Sequence, residues 1–105
     1  MFIKTVRVMA DYGSSGIWLV ETTGGFRHSM LGHDSLQLPE SLSEAFDQWI
    51  EHYWKALDDP DSYDEQWMIS RGRELATELK RFLGPEVTVL YASEANVRED
   101  ELIEI

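Results

Sequence analysis

Residues 41–57 read Ser-Leu-Ser-Glu-Ala-Phe-Asp-Gln-Trp-Ile-Glu-His-Tyr-Trp-Lys-Ala-Leu, and their spacing decides what kind of domain this chain makes. Leu42, Ala45, Phe46, Trp49, Ile50, Tyr53 and Leu57 recur every three or four positions, the period of a helix that buries one face. The opening Ser41-Leu42-Ser43-Glu44 fits a capping box, in which the serine side chain accepts from a free backbone N–H and Glu44 reaches back to the cap residue. Ser62-Tyr63-Asp64-Glu65 has the same form and predicts a second helix. Its buried face would be Met68, Gly72, Leu75, Ala76, Leu79, Phe82 and Leu83, and it should stop at Gly84-Pro85, where glycine accepts a positive φ and proline cannot continue. Gly72 in mid-helix costs about 1 kcal/mol against alanine, so a close approach to the backbone is expected there.

Strands surround this helical pair. Phe2 to Ala10 alternates, with Val6, Val8 and Ala10 on one side and Thr5, Arg7 and Met9 on a moderately polar other. Asp11-Tyr12-Gly13-Ser14-Ser15-Gly16 is a turn by composition. Ile17 to Thr23 is rich in strand formers, and Gly24-Gly25 before Phe26 to Leu31 reads as a hairpin turn. Glu86 to Ala92 should be a short buried strand that joins the same sheet. The expected fold is therefore α+β: an antiparallel or mixed sheet of three to four strands, a helix hairpin on one face, and the order ββ(β)ααβ. One domain over residues 1–105 is expected, with an acidic, flexible tail from about residue 96.

Composition narrows the function. Hydrophobic residues make up 43% and aromatics 11% of the 105 residues, which suits a packed globule. Cysteine is absent, so neither a disulfide scaffold nor a thiolate site is available, and a reducing cytoplasm is the natural setting. The first ten residues do not have the form of a signal peptide, and no apolar run approaches the ~18 residues of a membrane span. Twenty Asp and Glu stand against nine Lys and Arg, a formal net charge of -11. Such a charge repels nucleic acid and anionic membranes, so neither is an expected partner.

The carboxylates are concentrated. In Ala56 to Trp67, read ALDDPDSYDEQW, Asp58, Asp59, Asp61, Asp64 and Glu65 crowd around Pro60. A helix start accounts for part of this, with Asp61 or Ser62 at the cap and two acids in the first turn. A calcium loop beginning at Asp59 fails, because Asp64 stands where glycine is needed and Ser70 where the bidentate Glu should be. His28, His33 and His52 lack the spacing of metal ligands, so neither metal nor other cofactor is expected. Gly13-Ser14-Ser15-Gly16 leads into strand formers, unlike a phosphate loop or nucleophile elbow, and no enzymatic constellation emerges.

At 100° per residue, Glu40, Glu44, Asp47, Glu51 and Asp58 share the sector of the first helix opposite its apolar face, interrupted only by Lys55. Trp54 lies at the border of that sector, and Trp67 is similarly displaced on the second helix. Carboxylates beside a partly exposed indole have the composition of an interface. The candidate partner-binding residues are Glu44, Asp47, Glu51, Trp54, Asp58, Asp59 and Asp61, joined by Asp11 and Tyr12 at the end of the first strand.

Val6-Arg7-Val8-Met9-Ala10-Asp11-Tyr12-Gly13, then Trp18, Gly72-Arg73-Glu74-Leu75-Ala76 and Leu83-Gly84-Pro85-Glu86-Val87, resemble small bacterial immunity proteins of contact-dependent growth inhibition systems. The resemblance implies a cytoplasmic inhibitor that binds one cognate toxin domain, often a nuclease acting on tRNA or other nucleic acid. Such a toxin must be basic to hold its substrate. The charge distribution alone also admits a DNA-mimic or regulatory adaptor that binds some other basic protein.

Overall fold

The computed structural model describes residues 4–11, 13–21, 27–93 and 102–105. Alternation governs β1 (Thr5–Met9), where Val6 and Val8 are fully buried towards the helices. β2 (Ile17–Glu21) pairs antiparallel with it, Val6 opposite Leu19 and Val8 opposite Ile17, and β3 (Arg27–Met30) pairs antiparallel with β2. On the other side of β1 lies β4 (Thr88–Ala92), parallel, with Val6 beside Val89 and Val8 beside Tyr91. A parallel neighbour needs a long crossover, which the intervening helices supply.

Among the described residues the sheet has five strands in the order β3-β2-β1-β4-β5 and is mixed, which corrects the expected three to four. The extra strand, β5 (Ile103–Glu104), comes from the segment read as a tail. Ile103 stands opposite Tyr91, and the Ile105 N–H donates to the Val89 carbonyl at 2.8 Å. Ile105 also packs on the core, so its apolar side chain outweighs the acidic composition that suggested a free end. The Gly24-Gly25 turn, and the part of the tail before residue 102, lie outside the described residues.

A short helix, α1 (His33–Leu36), precedes the two long ones and makes the element order βββαααββ. Four residues are too few to show a period, so the sequence did not reveal it. α2 (Glu40–Asp58) buries Leu42, Phe46, Trp49 and Ile50, and α3 (Glu65–Leu83) buries Met68, Gly72, Leu75, Ala76 and Leu79. Two residues assigned to these stripes, Leu57 and Phe82, are instead exposed; both stand near the end of their helix.

Neither helix starts at its serine. The N-cap of α2 is Pro39, whose carbonyl accepts from the Leu42 and Ser43 N–H groups at 3.0 Å each. Proline presets its own φ and has no N–H for a box Glu to reach, so the helix begins ahead of the Ser41 box. For α3 the cap is Asp64, which accepts from the Trp67 N–H at 2.9 Å. Pro60 opens a 3-10 turn, Pro60–Ser62, that absorbs Ser62, whose hydroxyl donates to the Asp59 carbonyl at 2.8 Å.

Gly72 shows why a helix would accept its cost. A Cβ there would stand 2.7 Å from Trp49 Cζ2 and 2.7 Å from Tyr91 Cε1, so the rings of α2 and β4 meet on bare backbone. The Trp49 indole is fixed by donating to the Met68 carbonyl at 2.9 Å. Burial, reinforced by Tyr63 and opposed by Arg73, pushes the Tyr91 hydroxyl up to about 12. On the second face of the sheet Arg7 is buried between Trp18 and Leu90 in neighbouring strands, and that burial lowers its pKa. No helix among the described residues is long and apolar enough to cross a membrane.

Candidate partner-binding surface

The outer side of α2 carries the predicted carboxylates. Glu40, Glu44, Asp47, Glu51 and Asp58 are all exposed along it, and Asp59 and Asp61 are exposed just past its end. Lys55 reaches Glu51 at 3.8 Å, and both side chains remain 66% exposed. An exposed pair of this kind is worth little and leaves the negative field of the stripe largely intact.

Trp54 borders the stripe and is 45% exposed. Its ring lies against the turn after β1: a Cβ on Gly13 would stand 3.7 Å from Trp54 Cζ2. Gly13 has φ +67°, a conformation that suits a residue without a side chain. The Ser14 N–H and hydroxyl both donate to the Asp11 carbonyl, at 3.3 Å and 2.9 Å, and close that turn. The fold thus brings the half-buried Asp11 and its turn to the flank of α2 that holds Trp54. Tyr12 lies outside the described residues.

At the start of α2 the structure adds a feature the sequence reading missed. A recess of about 380 Å³ is lined by His33, Asp34, Gln37, Leu38, Glu40, Ser43 and Glu44. A second hollow, which includes Gly13, Ser14, Ser15, Met30 and Asp47, shares His33, Asp34 and Ser43 with it. His33 is the tie between them. Its Nε2 donates to the Ser15 carbonyl at 2.9 Å, and its Nδ1 meets the Ser43 hydroxyl at 2.7 Å. Asp47 Oδ1 is 3.8 Å from the same Nδ1.

Serine, histidine and aspartate together invite comparison with a nucleophilic relay. In a relay the acid and the serine address opposite ring nitrogens. Here both address Nδ1, and Nε2 is occupied by a backbone carbonyl, so His33 is a fastener joining the Ser15 turn, α1 and α2. The available signal was Ser43, a polar residue next to Leu42 at the edge of the buried stripe.

Among the described residues, no group of three or more His, Asp or Glu could hold a metal ion. A family model described as Serratia CdiI immunity protein-like matches residues 4–94. The chain belongs to that family. The matched span contains β1 to β4, all three helices and every candidate residue on α2. Membership places the chain among immunity proteins of toxin/immunity systems, whose partner is a cognate toxin. No curated protein matches the chain.

Proposed function

We propose that this immunity protein neutralises a basic toxin domain, a nuclease, by docking the α2 stripe onto the surface that holds the toxin's nucleic acid. The supporting observation is the run of Glu44, Asp47, Glu51 and Asp58 on one exposed helix side, with Lys55 alone set against it and Trp54 at its edge. A nuclease grips phosphates with Lys and Arg, so a protein that presents carboxylates can occupy or screen the same groove. Opposite fields also steer encounter, to as much as about 10⁸ to 10⁹ M⁻¹s⁻¹, and a cell protecting itself needs a fast inhibitor. Trp54 supplies buried apolar contact once the partner closes over it. Asp59 and Asp61 extend the field beyond the helix, and Asp11 lines its flank. The complex is one-to-one and forms in the cytoplasm.

Titrating the protein into the nuclease reaction of its cognate toxin tests this directly. Cleavage should fall linearly and stop at one equivalent. Full cleavage in the presence of excess bound immunity protein would show that the inhibited step is not the toxin's chemistry.

A further inference from the structure

The tip where α2 gives way to α3 carries a second aromatic surface, on the opposite flank of the acidic stripe from Trp54. His52 is at its centre. Its ring stacks on Tyr63 at a centroid distance of 5.9 Å and 27°, and meets Trp67 at 4.8 Å. Tyr53 lies 6.4 Å from Tyr63. Backbone contacts fix the group: the Asp64 N–H donates to His52 Nε2 at 3.2 Å, and Asp64 Oδ1 accepts from the Trp67 N–H at 2.9 Å. Because Nε2 accepts, the imidazole hydrogen is carried on Nδ1.

Tyr53 packs on the core that Trp49 and Met68 fill between the same helices, whereas Tyr63 and Trp67 stand outside it. Tyr63 and Trp67 remain 36% and 39% exposed. In the stretch between Lys55 and Arg71 the charge has one sign: Asp58, Asp59, Asp61, Asp64 and Glu65 are exposed, and no Lys or Arg occurs there. Arg71, one helical turn beyond Trp67, is drawn to Glu74 at 2.9 Å. Exposed rings set in a carboxylate field match one side chain above others. A guanidinium is planar and weakly hydrated, so it stacks on an aromatic face while its N–H fork reaches carboxylates. A lysine ammonium is compact and strongly hydrated and gains less at such a place.

We propose that this tip is a second docking site, built from Tyr63 and Trp67 with Asp59 and Asp61, that takes an arginine side chain from a basic segment of the toxin. The identity of that partner rests on the function proposed above; the arginine site itself rests on the geometry of the tip. Two titrations separate them. In the first, hexa-arginine and hexa-lysine peptides are added to the labelled protein while the indole N–H signals of its tryptophans are followed by NMR. The Trp67 signal should move with hexa-arginine and at least several-fold less with hexa-lysine, and the buried Trp49 signal should stay. In the second, the toxin is titrated calorimetrically against wild type, Trp67→Leu and the pair Asp59→Asn with Asp61→Asn. Each variant should bind about tenfold more weakly with its melting temperature retained. Asp59 and Asp61 also extend the α2 field, so the paired variant, which keeps all the rings, is in addition titrated with hexa-arginine; its Trp67 signal should move several-fold less than that of wild type, and this decides the matter if Trp67→Leu folds poorly. Unchanged toxin affinity in both variants, or a Trp67 signal indifferent to hexa-arginine, overturns the site and leaves the α2 stripe untouched. A Trp67 response to hexa-arginine without any wild-type binding of the toxin supports the arginine site and removes the toxin as its partner.

Discussion

Replacing Gly72 with alanine sets two effects of known size against each other. In an exposed helix the change would stabilise by about 1 kcal/mol, because glycine is the poorer helix former. Here the new Cβ would stand 2.7 Å from both Trp49 Cζ2 and Tyr91 Cε1, and 3.1 Å from the Tyr91 hydroxyl. Comfortable carbon contacts begin near about 3.5 Å, so each ring would have to retreat by roughly 0.8 Å. Neither has room. Trp49 and Tyr91 are 1% and 2% exposed, and the indole is held by its bond to Met68 and by edge contact with Phe46. Overpacking of this kind costs about 1–3 kcal/mol, and two trapped rings place it near the upper end. The net loss should be about 2 kcal/mol, which lowers the melting temperature of a domain this size by roughly 8–16 °C. Urea unfolding followed by tryptophan fluorescence, with thermal melts by circular dichroism, measures both. A Gly72→Ala protein as stable as wild type, or more so, would refute the ring-on-backbone contact between α2, α3 and β4.

Asp64→Ala should cost about 1 kcal/mol and Ser62→Ala much less, since Asp64 caps α3 and Ser62 only braces the 3-10 turn; the reverse order in urea midpoints would move the helix start. Tyr91 is an acid whose folded pKa, about 12, lies above its ordinary 10.0, so its contribution is complete below pH 10 and is lost as pH rises towards 12. Wild type should lose up to about 2–3 kcal/mol across that window, and Tyr91→Phe should lack that part of the decline; identical pH profiles would contradict the buried hydroxyl. Trp54→Ala should leave association with the toxin nearly unchanged and speed dissociation, by something on the order of 2 kcal/mol; a changed on-rate with an unchanged off-rate would remove Trp54 as an anchor.

What could be read from the residues was what repeats locally. Leu42, Phe46, Trp49 and Ile50 reveal α2 because four large apolar side chains fix the phase of a helix, and the same phase places Glu44, Asp47 and Glu51 on its far side. Val6 and Val8 reveal β1 by alternation. What stayed hidden depends on competition or on distant contact. Pro39 and Pro60 override the serine boxes that follow them, a contest between neighbours that pattern matching does not weigh. β5 is two residues long in an acidic stretch, and only its register with Tyr91 and Leu90 defines it. The parallel match of β1 with β4 joins strands separated by three helices. The surface divides in the same way. Its carboxylates follow from helix phase, whereas the packing of Trp54 on the Gly13 turn and the fastening of Ser15 to Ser43 through His33 exist only once the chain has folded.

The proposed function requires that the exposed carboxylates of α2 steer and hold a cationic toxin. Stopped-flow association of the cognate toxin is compared for wild type and for Glu44→Lys, Asp47→Lys and Glu51→Lys combined, at two salt concentrations. All three side chains are exposed and point away from Leu42, Phe46 and Trp49, so the variant should keep its circular dichroism spectrum. Its association should be much slower, and should lose most of the salt dependence that wild type shows, because the field is reversed where it is strongest. A folded variant that associates at the wild-type rate with the wild-type salt dependence would rule out steering by α2 and place the toxin on another surface.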